Sequence, residues 1–164
     1  MNNIQIIKLP PERWNEYKTL RLRALKDDPQ AFGSSYAKEV AYSDEKWREK
    51  TNDNVFFACN GNDLVGMMGI WQSEDDKNNK VANVFGVYVI PEFRGKGISK
   101  MLMQSLVEEL KTSPNISKLK LTVNKDQVSA VKLYEAFGFK TMKEEKALLG
   151  DGNYYDEYLM EKDL

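Results

Sequence analysis

The feature that most constrains this chain is a change of hydrophobic period midway along the sequence. Residues 83–90 form an apolar run that ends at Pro91, which is typical of a buried β-strand. From there on, apolar residues recur at helical spacing, at Ile98, Leu102, Leu106 and Leu110. Only a short turn separates the two patterns, and it contains Arg94, Gly95, Lys96 and Gly97. The sequence therefore predicts a strand that runs through a basic, glycine-containing turn directly into an amphipathic helix.

This turn has the chemistry of an anion-binding site. The first turn of a helix carries N–H groups without intrahelical partners and a partial positive charge, and glycines let an anion approach the backbone. Residues 94–99 therefore predict a cradle for phosphate or pyrophosphate, to which Arg94 and Lys96 add charge. A Walker A loop is missing, and the dinucleotide pattern fails where Lys100 replaces its third glycine. A Rossmann-type nucleotide protein is thus disfavoured, and a plain basic surface turn is the simplest alternative.

The rest of the chain alternates between strand and helix patterns without an internal repeat. Strands are predicted at residues 4–9, 55–60, 64–72, 118–123, 139–148 and 154–161, and helices at residues 14–27, 44–50 and 129–137. Ser43 and Gly138 are the predicted N-cap and C-cap of two of these helices. Residues 30–42 show no clear period, and residues 73–80 predict a solvated turn. A length of 164 residues suits one mixed α+β domain spanning residues 1–164.

Histidine is absent, and cysteine occurs once, as Cys59. These counts exclude Ser-His-Asp and Cys-His triads, most zinc and iron sites, and an internal disulfide framework. Cys59 lies in an apolar run, which favours a packed strand residue over a nucleophile. We therefore expect no metal, and chemistry that relies on carboxylates, tyrosine, lysine, hydroxyl and backbone groups.

The charge balance gives no sign of a polyanionic partner. The 24 basic and 25 acidic side chains leave a net charge of −1, so neither nucleic acid nor an anionic membrane is indicated. The sequence contains no run of about 18 apolar residues, the length needed to span a bilayer. Residues 1–5 lack the basic flank and apolar stretch of a secretory signal. From these observations we expect a cytoplasmic protein.

Two sequence blocks resemble one known family. Residues 94–99, Arg-Gly-Lys-Gly-Ile-Ser, are similar to the Q/R-x-x-G-x-G/A signature of the GNAT superfamily of acetyl-CoA-dependent N-acetyltransferases. Residues 124–139 resemble the family's N-x-x-A-x-x-L-Y-E-x-x-G-F block at nearly every position. The blocks occur in the expected order, and residues 20–36 and 152–160 also look like one branch of the superfamily. The resemblance thus covers most of the chain.

This resemblance implies both a fold and a cofactor site. The expected fold is an α/β/α sandwich around a mixed, mostly antiparallel twisted sheet, whose fourth and fifth strands splay apart to admit acetyl-CoA. The pantetheine arm should hydrogen-bond to the free edge of the fourth strand, where Gly86 predicts a bulge or a close ligand approach. The implied cofactor-binding residues are Val87, Tyr88, Val89, Arg94, Gly95, Lys96, Gly97, Ile98, Ser99, Asn124, Gln127, Ser129 and Tyr134.

The resemblance also implies a mechanism, with one part missing. Tyr134 matches the family position of the general acid that protonates the departing thiolate, although it could simply pack on its helix. This sequence departs from the family pattern at two positions. Ser99 stands where Gly or Ala is expected, and Gln127 stands where Asn is expected. Family members often carry a carboxylate base at positions that correspond to Asn83 and Thr122, and neither of these is a base. Ordered water and an acidic residue within residues 32–49 are the alternatives that the sequence leaves open. The residues expected to contact the substrate are Phe32, Tyr36, Asn83 and Tyr155.

Two functions are compatible with these patterns. The first is an enzyme that transfers an acetyl group to a small-molecule or peptide amine by direct attack in a ternary complex. The second is a non-catalytic sensor of acetyl-CoA with the same fold, which the missing carboxylate base favours slightly. The acyl preference, the amine and a homodimer are left open by the sequence.

Overall fold

The apolar runs predicted as strands all join one sheet. In the computed structural model, which describes residues 3–164, the strand order is β1-β2-β3-β4-β5-β7-β6, and only β4 and β5 are parallel neighbours. Residues 1 and 2, part of the segment inspected for a secretory signal, lie outside the described residues. The strands are β1 Ile4–Ile7, β2 Val55–Asn60, β3 Asp63–Trp71, β4 Val81–Val89, β5 Lys118–Asn124, β6 Lys140–Leu148 and β7 Tyr154–Asp163.

Helices lie between these strands, and four of them match helices that the sequence predicts. They are α1 Trp14–Asp27, α2 Tyr36–Val40, α3 Asp44–Lys50, α4 Glu74–Asn78, α5 Ile98–Lys111 and α6 Val128–Ala136. The Ser43 side chain accepts a 3.2 Å hydrogen bond from the backbone N–H of Lys46, which confirms it as the N-cap of α3. Gly138 follows α6 with a φ of 87°, in the left-handed conformation of a C-terminal cap, as predicted.

Two short helices were not predicted. Within residues 30–42, α2 begins after Ser35, whose hydroxyl accepts from the Lys38 N–H. Within residues 73–80, α4 begins with a capping box in which Ser73 and Asp76 satisfy each other's backbone N–H groups. Each helix has five residues, which is too few for a hydrophobic period to be recognised. The solvated turn predicted at residues 73–80 is therefore wrong in part.

The sheet separates two apolar layers, so the α/β/α sandwich and the mostly antiparallel sheet are confirmed. Successive residues of β2 illustrate the alternation, because Phe56 packs toward α5 and α6 while Phe57 packs toward α1 and α3. Leu106 on α5 and Trp47 on α3 are fully buried on opposite faces. Cys59 is a buried β2 residue, as predicted. No helix among the described residues is long and apolar enough to cross a membrane.

Candidate active site

The site begins where two neighbouring strands separate. β4 and β5 pair only through residues 81–83 and 118–120, and the rest of each strand is free of the other. On its far side β4 stays paired with β3, and β5 stays paired with β7 along its whole length. The two strands therefore splay toward their carboxyl ends, as predicted, and the second half of β4 has one edge with unpaired backbone groups.

A cavity of about 690 Å³ lies at this divergence. Its walls are the end of β4, the turn that follows, the first turns of α5 and α6, and Asp28 and Ala31 from the segment after α1. Most of the residues predicted to bind the cofactor line it, namely Val87, Tyr88, Val89, Arg94, Gly95, Gly97, Ile98, Ser99, Gln127 and Ser129. Lys96, Asn124 and Tyr134 lie outside this lining.

The turn before α5 has the geometry of an anion cradle. Gly95 and Gly97 have φ values of 76° and 77°, and Gly97 is the N-cap of α5. A Cβ at either position would meet no atom within 4 Å, so open space adjoins the backbone. The first N–H groups of α5 and of α6 have no intrahelical acceptor, and both helix ends line the same cavity. Two partial positive charges therefore converge there.

Two cations of the turn have different surroundings. The Arg94 Nε donates to the Val89 carbonyl at 2.8 Å, and its Nη2 donates to Asp28 at 2.7 Å. Arg94 thereby fixes the turn to β4 and to the segment after α1, and its remaining N–H groups lie at the cavity. Lys96 folds back instead, with its Nζ 3.4 Å from the Glu92 carbonyl and 4.4 Å from the centre of the Phe93 ring.

Tyr134 and Asn124 are held by neighbouring groups near the cavity. Tyr134 is buried on α6 with its ring edge-on to Phe139, and this burial alone raises the pKa of its hydroxyl. The amide of Asn124 is engaged within the protein: Nδ2 donates to the Gln30 carbonyl at 3.2 Å and Oδ1 accepts from the Asp126 N–H at 3.0 Å. Asn124 therefore ties the end of β5 to the segment after α1.

Three of the four predicted substrate residues lie around one segment. Residues 28–35 connect α1 to α2, and the Phe32 carbonyl in this segment accepts from the Gly150 N–H of the β6–β7 loop at 2.9 Å. Tyr36 directly follows the segment, and the Tyr155 hydroxyl donates to Asp151 in the same loop at 2.6 Å. This hydrogen bond raises the pKa of Tyr155.

The fourth predicted substrate residue, Asn83, does not join this group. It belongs to the part of β4 that pairs with β5, before the strands separate. Its amide donates to Asp76 of α4 at 2.8 Å. Asn83 therefore lies at the closed end of the gap and stabilises the connection between β3 and β4. The sequence could not reveal this separation, because it depends on where the parallel pairing ends.

A buried ion pair beside β4 was missed by the sequence analysis. Arg21 of α1 donates bidentately to Glu39 of α2 at 3.0 and 2.8 Å, and its guanidinium stacks on Phe32 at 4.8 Å. The Nη1 of Arg21 has no hydrogen-bond partner among the described residues and lies 3.5 Å from the position of a Cβ at Gly86. Gly86 has a φ of 66° beside a register shift between β3 and β4, which confirms the predicted bulge.

Residues 3–164 contain no group of three or more His, Cys, Asp or Glu side chains that could hold a metal ion.

Comparisons with known proteins agree with this geometry. A family model described as the acetyltransferase (GNAT) family matches residues 19–139. The L-amino acid N-acetyltransferase AaaT of Escherichia coli strain K12 is 29% identical over 123 residues, which cover 72% of this chain and 75% of that protein.

Solved structures share the whole fold. The acetyltransferase of the GNAT family from Streptococcus pneumoniae superposes with a TM-score of 0.83 at 19% identity, covering 99% of this chain and 100% of that chain. The structure of yncA from Salmonella typhimurium, with its cofactor acetyl-CoA, superposes with a TM-score of 0.80 at 16% identity, covering 99% and 94%. Because the family model spans most of the sequence and the splayed sheet is present, this chain belongs to the GNAT family of acetyl-CoA-dependent N-acetyltransferases and is an acyltransferase.

Proposed function

We propose that this protein transfers the acetyl group of acetyl-CoA to a primary amine by direct attack in a ternary complex, with Tyr134 as the general acid. The observation that carries the proposal is the divergence of β4 from β5, which leaves a free strand edge beside two helix N-termini. Cys59, the only cysteine, lies in β2, two strands away from this cavity, so no thiol is available there for an acyl-enzyme.

The residues present fit acetyl-CoA as co-substrate. The free edge of β4 at Val87 and Val89 offers backbone groups to the amides of the pantetheine arm, as an added strand would. The open backbone at Gly95 and Gly97, with the first N–H groups of α5, suits the pyrophosphate. When bound, acetyl-CoA supplies the thioester carbonyl that is attacked and the thiolate that leaves.

The protein's own groups then have two tasks in the transfer. Backbone N–H groups near Val87 and Val89 polarise the thioester oxygen, which gains negative charge as the amine attacks. Tyr134 supplies a proton to the departing thiolate, because a buried phenol with a raised pKa keeps its proton at neutral pH.

The proposed acceptor is a primary amine, and a panel of amines can identify it. The related Escherichia coli protein is named as an L-amino acid N-acetyltransferase, so we propose L-amino acids as the first acceptors to test. Peptides with a free N-terminus and small diamines complete a panel that separates α-amines from other primary amines.

The release of free CoA from acetyl-CoA, measured with purified protein across this panel, tests the proposal. We expect release to depend on the amine, and Tyr134→Phe to lower kcat by roughly 10²–10⁴-fold while acetyl-CoA still binds. Tyr154→Phe is the matched control, because Tyr154 is 68% exposed and does not line the cavity.

Two results would contradict the proposal. If acetyl-CoA binds tightly but no amine causes release of CoA, the protein acts as a sensor of acetyl-CoA. If Tyr134→Phe lowers kcat no more than Tyr154→Phe does, another group protonates the thiolate.

A further inference from the structure

One buried carboxylate of this chain is not part of the site described so far. Glu157 lies on β7, where it pairs with Asn124 of β5 on one side and with Glu145 of β6 on the other. Tyr158 and Met160 point to the other face of β7. There they contact the apolar layer formed with α5 and α6, in which Met160 is fully buried. Because side chains alternate along a strand, Glu157 lies on the sheet face that it shares with Asn124, toward the segment after α1.

Glu157 is buried without a partner. The residue is only 7% exposed, and it forms no hydrogen bond or ion pair with any of residues 3–164. The amide of Asn124 beside it is already engaged with Gln30 and Asp126. The other neighbour, Glu145, carries the same charge and forms its own ion pair with Lys143 at 2.9 Å.

The carboxylate nevertheless remains within reach of a ligand. Three buried polar atoms among the described residues are fully enclosed and lack a partner, and neither oxygen of Glu157 is one of them. Since the Glu157 oxygens also lack a partner, they must adjoin accessible space. Burial, followed by the charge of Glu145, raises the pKa of Glu157. An unpaired buried carboxylate opposes folding, because it loses hydration without gaining a counter-charge. A positively charged ligand would remove this penalty.

The surroundings of Glu157 include the segment that follows α1. The segment of residues 28–35 is tied to β5 beside Glu157 and to the β6–β7 loop: Asn124 donates to its Gln30 carbonyl, and Gly150 of that loop donates to its Phe32 carbonyl. The same segment contributes Asp28 and Ala31 to the wall of the cofactor cavity. One short segment thus links the cofactor cavity to the sheet face that carries Glu157.

We propose that Glu157 receives the ammonium group of the acceptor and is the base that removes its proton. This assignment rests on the proposed function, and it supplies the carboxylate that is absent at Asn83 and Thr122. A primary ammonium supplies the positive charge and the hydrogen-bond donors that an unpaired buried carboxylate lacks.

The proton balance of the step is complete. The acceptor arrives as R–NH₃⁺ and gives one proton to Glu157, which becomes neutral. The free amine then attacks the carbonyl carbon, so that a C–N bond forms and the C–S bond breaks with the electron pair left on sulfur. Tyr134 protonates the thiolate, and the second proton lost by the nitrogen restores the Tyr134 hydroxyl. Glu157 finally releases its proton to solvent.

The test compares Glu157→Gln with wild-type enzyme and with Asp156→Asn, using CoA release with the best acceptor found for the wild type. Asp156 is the adjacent exposed carboxylate on the opposite face of β7. We expect Glu157→Gln to lose roughly 10²–10⁴-fold in kcat/KM and Asp156→Asn to lose little. A fluorinated analogue of the acceptor, with a less basic amine, should lose much less activity in Glu157→Gln, because it needs no base.

Two further measurements separate this role from a structural one. Glu157→Gln should keep its affinity for acetyl-CoA, and its Tm should equal or exceed that of the wild type because a buried charge has been removed. The assignment is overturned if Glu157→Gln has a lower Tm than the wild type, loses activity equally with both amines, or is as active as Asp156→Asn. In each of these cases, turnover by the wild type still supports the proposed function. If wild-type enzyme binds acetyl-CoA and acetylates no amine, the proposed function fails and Glu157 cannot be its base.

Discussion

The ion pair between Arg21 and Glu39 makes a quantitative prediction about stability. Both residues are more than nine-tenths buried, and the two hydrogen bonds of 3.0 and 2.8 Å form a bidentate contact between α1 and α2. Replacing one member of such a pair strands the other charge in the interior, which costs about 3–5 kcal/mol. We therefore expect Arg21→Met and Glu39→Leu each to lower the free energy of unfolding by about that amount.

The double variant distinguishes this explanation from simple loss of packing. Arg21→Met combined with Glu39→Leu replaces the pair with apolar side chains of similar size, which is often neutral or even stabilising. Urea unfolding of the wild type, both single variants and the double variant gives the coupling energy directly. For a chain of this size, each single substitution should also lower Tm by roughly 6–20 °C. The reasoning is refuted if each single variant costs under about 1 kcal/mol, as for a surface pair.

Acid provides an independent check on the same pair. Burial opposes ionisation of Glu39, but the hydrogen bonds and charge of Arg21 outweigh it and lower the pKa of Glu39 below its ordinary value. A lowered pKa contributes stability that is present above the unfolded pKa, about 4.3, and is lost as the pH falls through the folded value. The wild type should therefore lose more stability than the double variant below pH ~4.3.

Two further predictions concern the cofactor cavity. Arg94→Ala removes one positive charge at the cavity and the hydrogen bonds that fix the turn to Val89 and Asp28, so calorimetry should show acetyl-CoA binding weakened by roughly tenfold or more. Lys96→Ala should weaken binding less, because Lys96 folds back on the turn, and equal losses would contradict this assignment. Gly86→Ala forces a side chain into the left-handed region, which costs about 1–2 kcal/mol, so its urea midpoint should fall and its kcat should drop as the bulge shifts. An unchanged midpoint in Gly86→Ala would show that β4 adapts without strain.

The cofactor cradle could be predicted from sequence because its determinants are local. A strand, a turn with Arg94 and Gly97, and a helix starting at Ile98 follow one another directly along the chain. Strand alternation, glycine conformation and helix amphipathicity are all properties of neighbouring residues. The bulge at Gly86 was predictable for the same reason, since a glycine inside an apolar strand is itself the signal.

The surroundings of Glu157 could not be predicted, because they depend on contacts between distant parts of the chain. β7 inserts between β5 and β6, and this order alone puts Glu157 beside Asn124. The pairing of Arg21 with Glu39 likewise depends on how α2 packs, and α2 is too short to be recognised by its period. Alignment with a family position predicts substrate contact for Asn83, whereas the extent of the β4–β5 pairing decides where Asn83 lies.

The two most buried carboxylates of this chain show how stability and catalysis use the same chemistry differently. Glu39 is matched by Arg21, so its charge is neutralised, its pKa falls, and it stabilises the fold. Glu157 forms no ion pair with any of residues 3–164, so burial and then the charge of Glu145 raise its pKa and its ionised form opposes folding. A sequence shaped by stability alone would gain by placing an apolar residue at position 157, as at Leu159 on the same face. A carboxylate kept at a cost to stability, beside the segment that borders the cofactor cavity, is best explained by a positively charged group that reaches it during turnover.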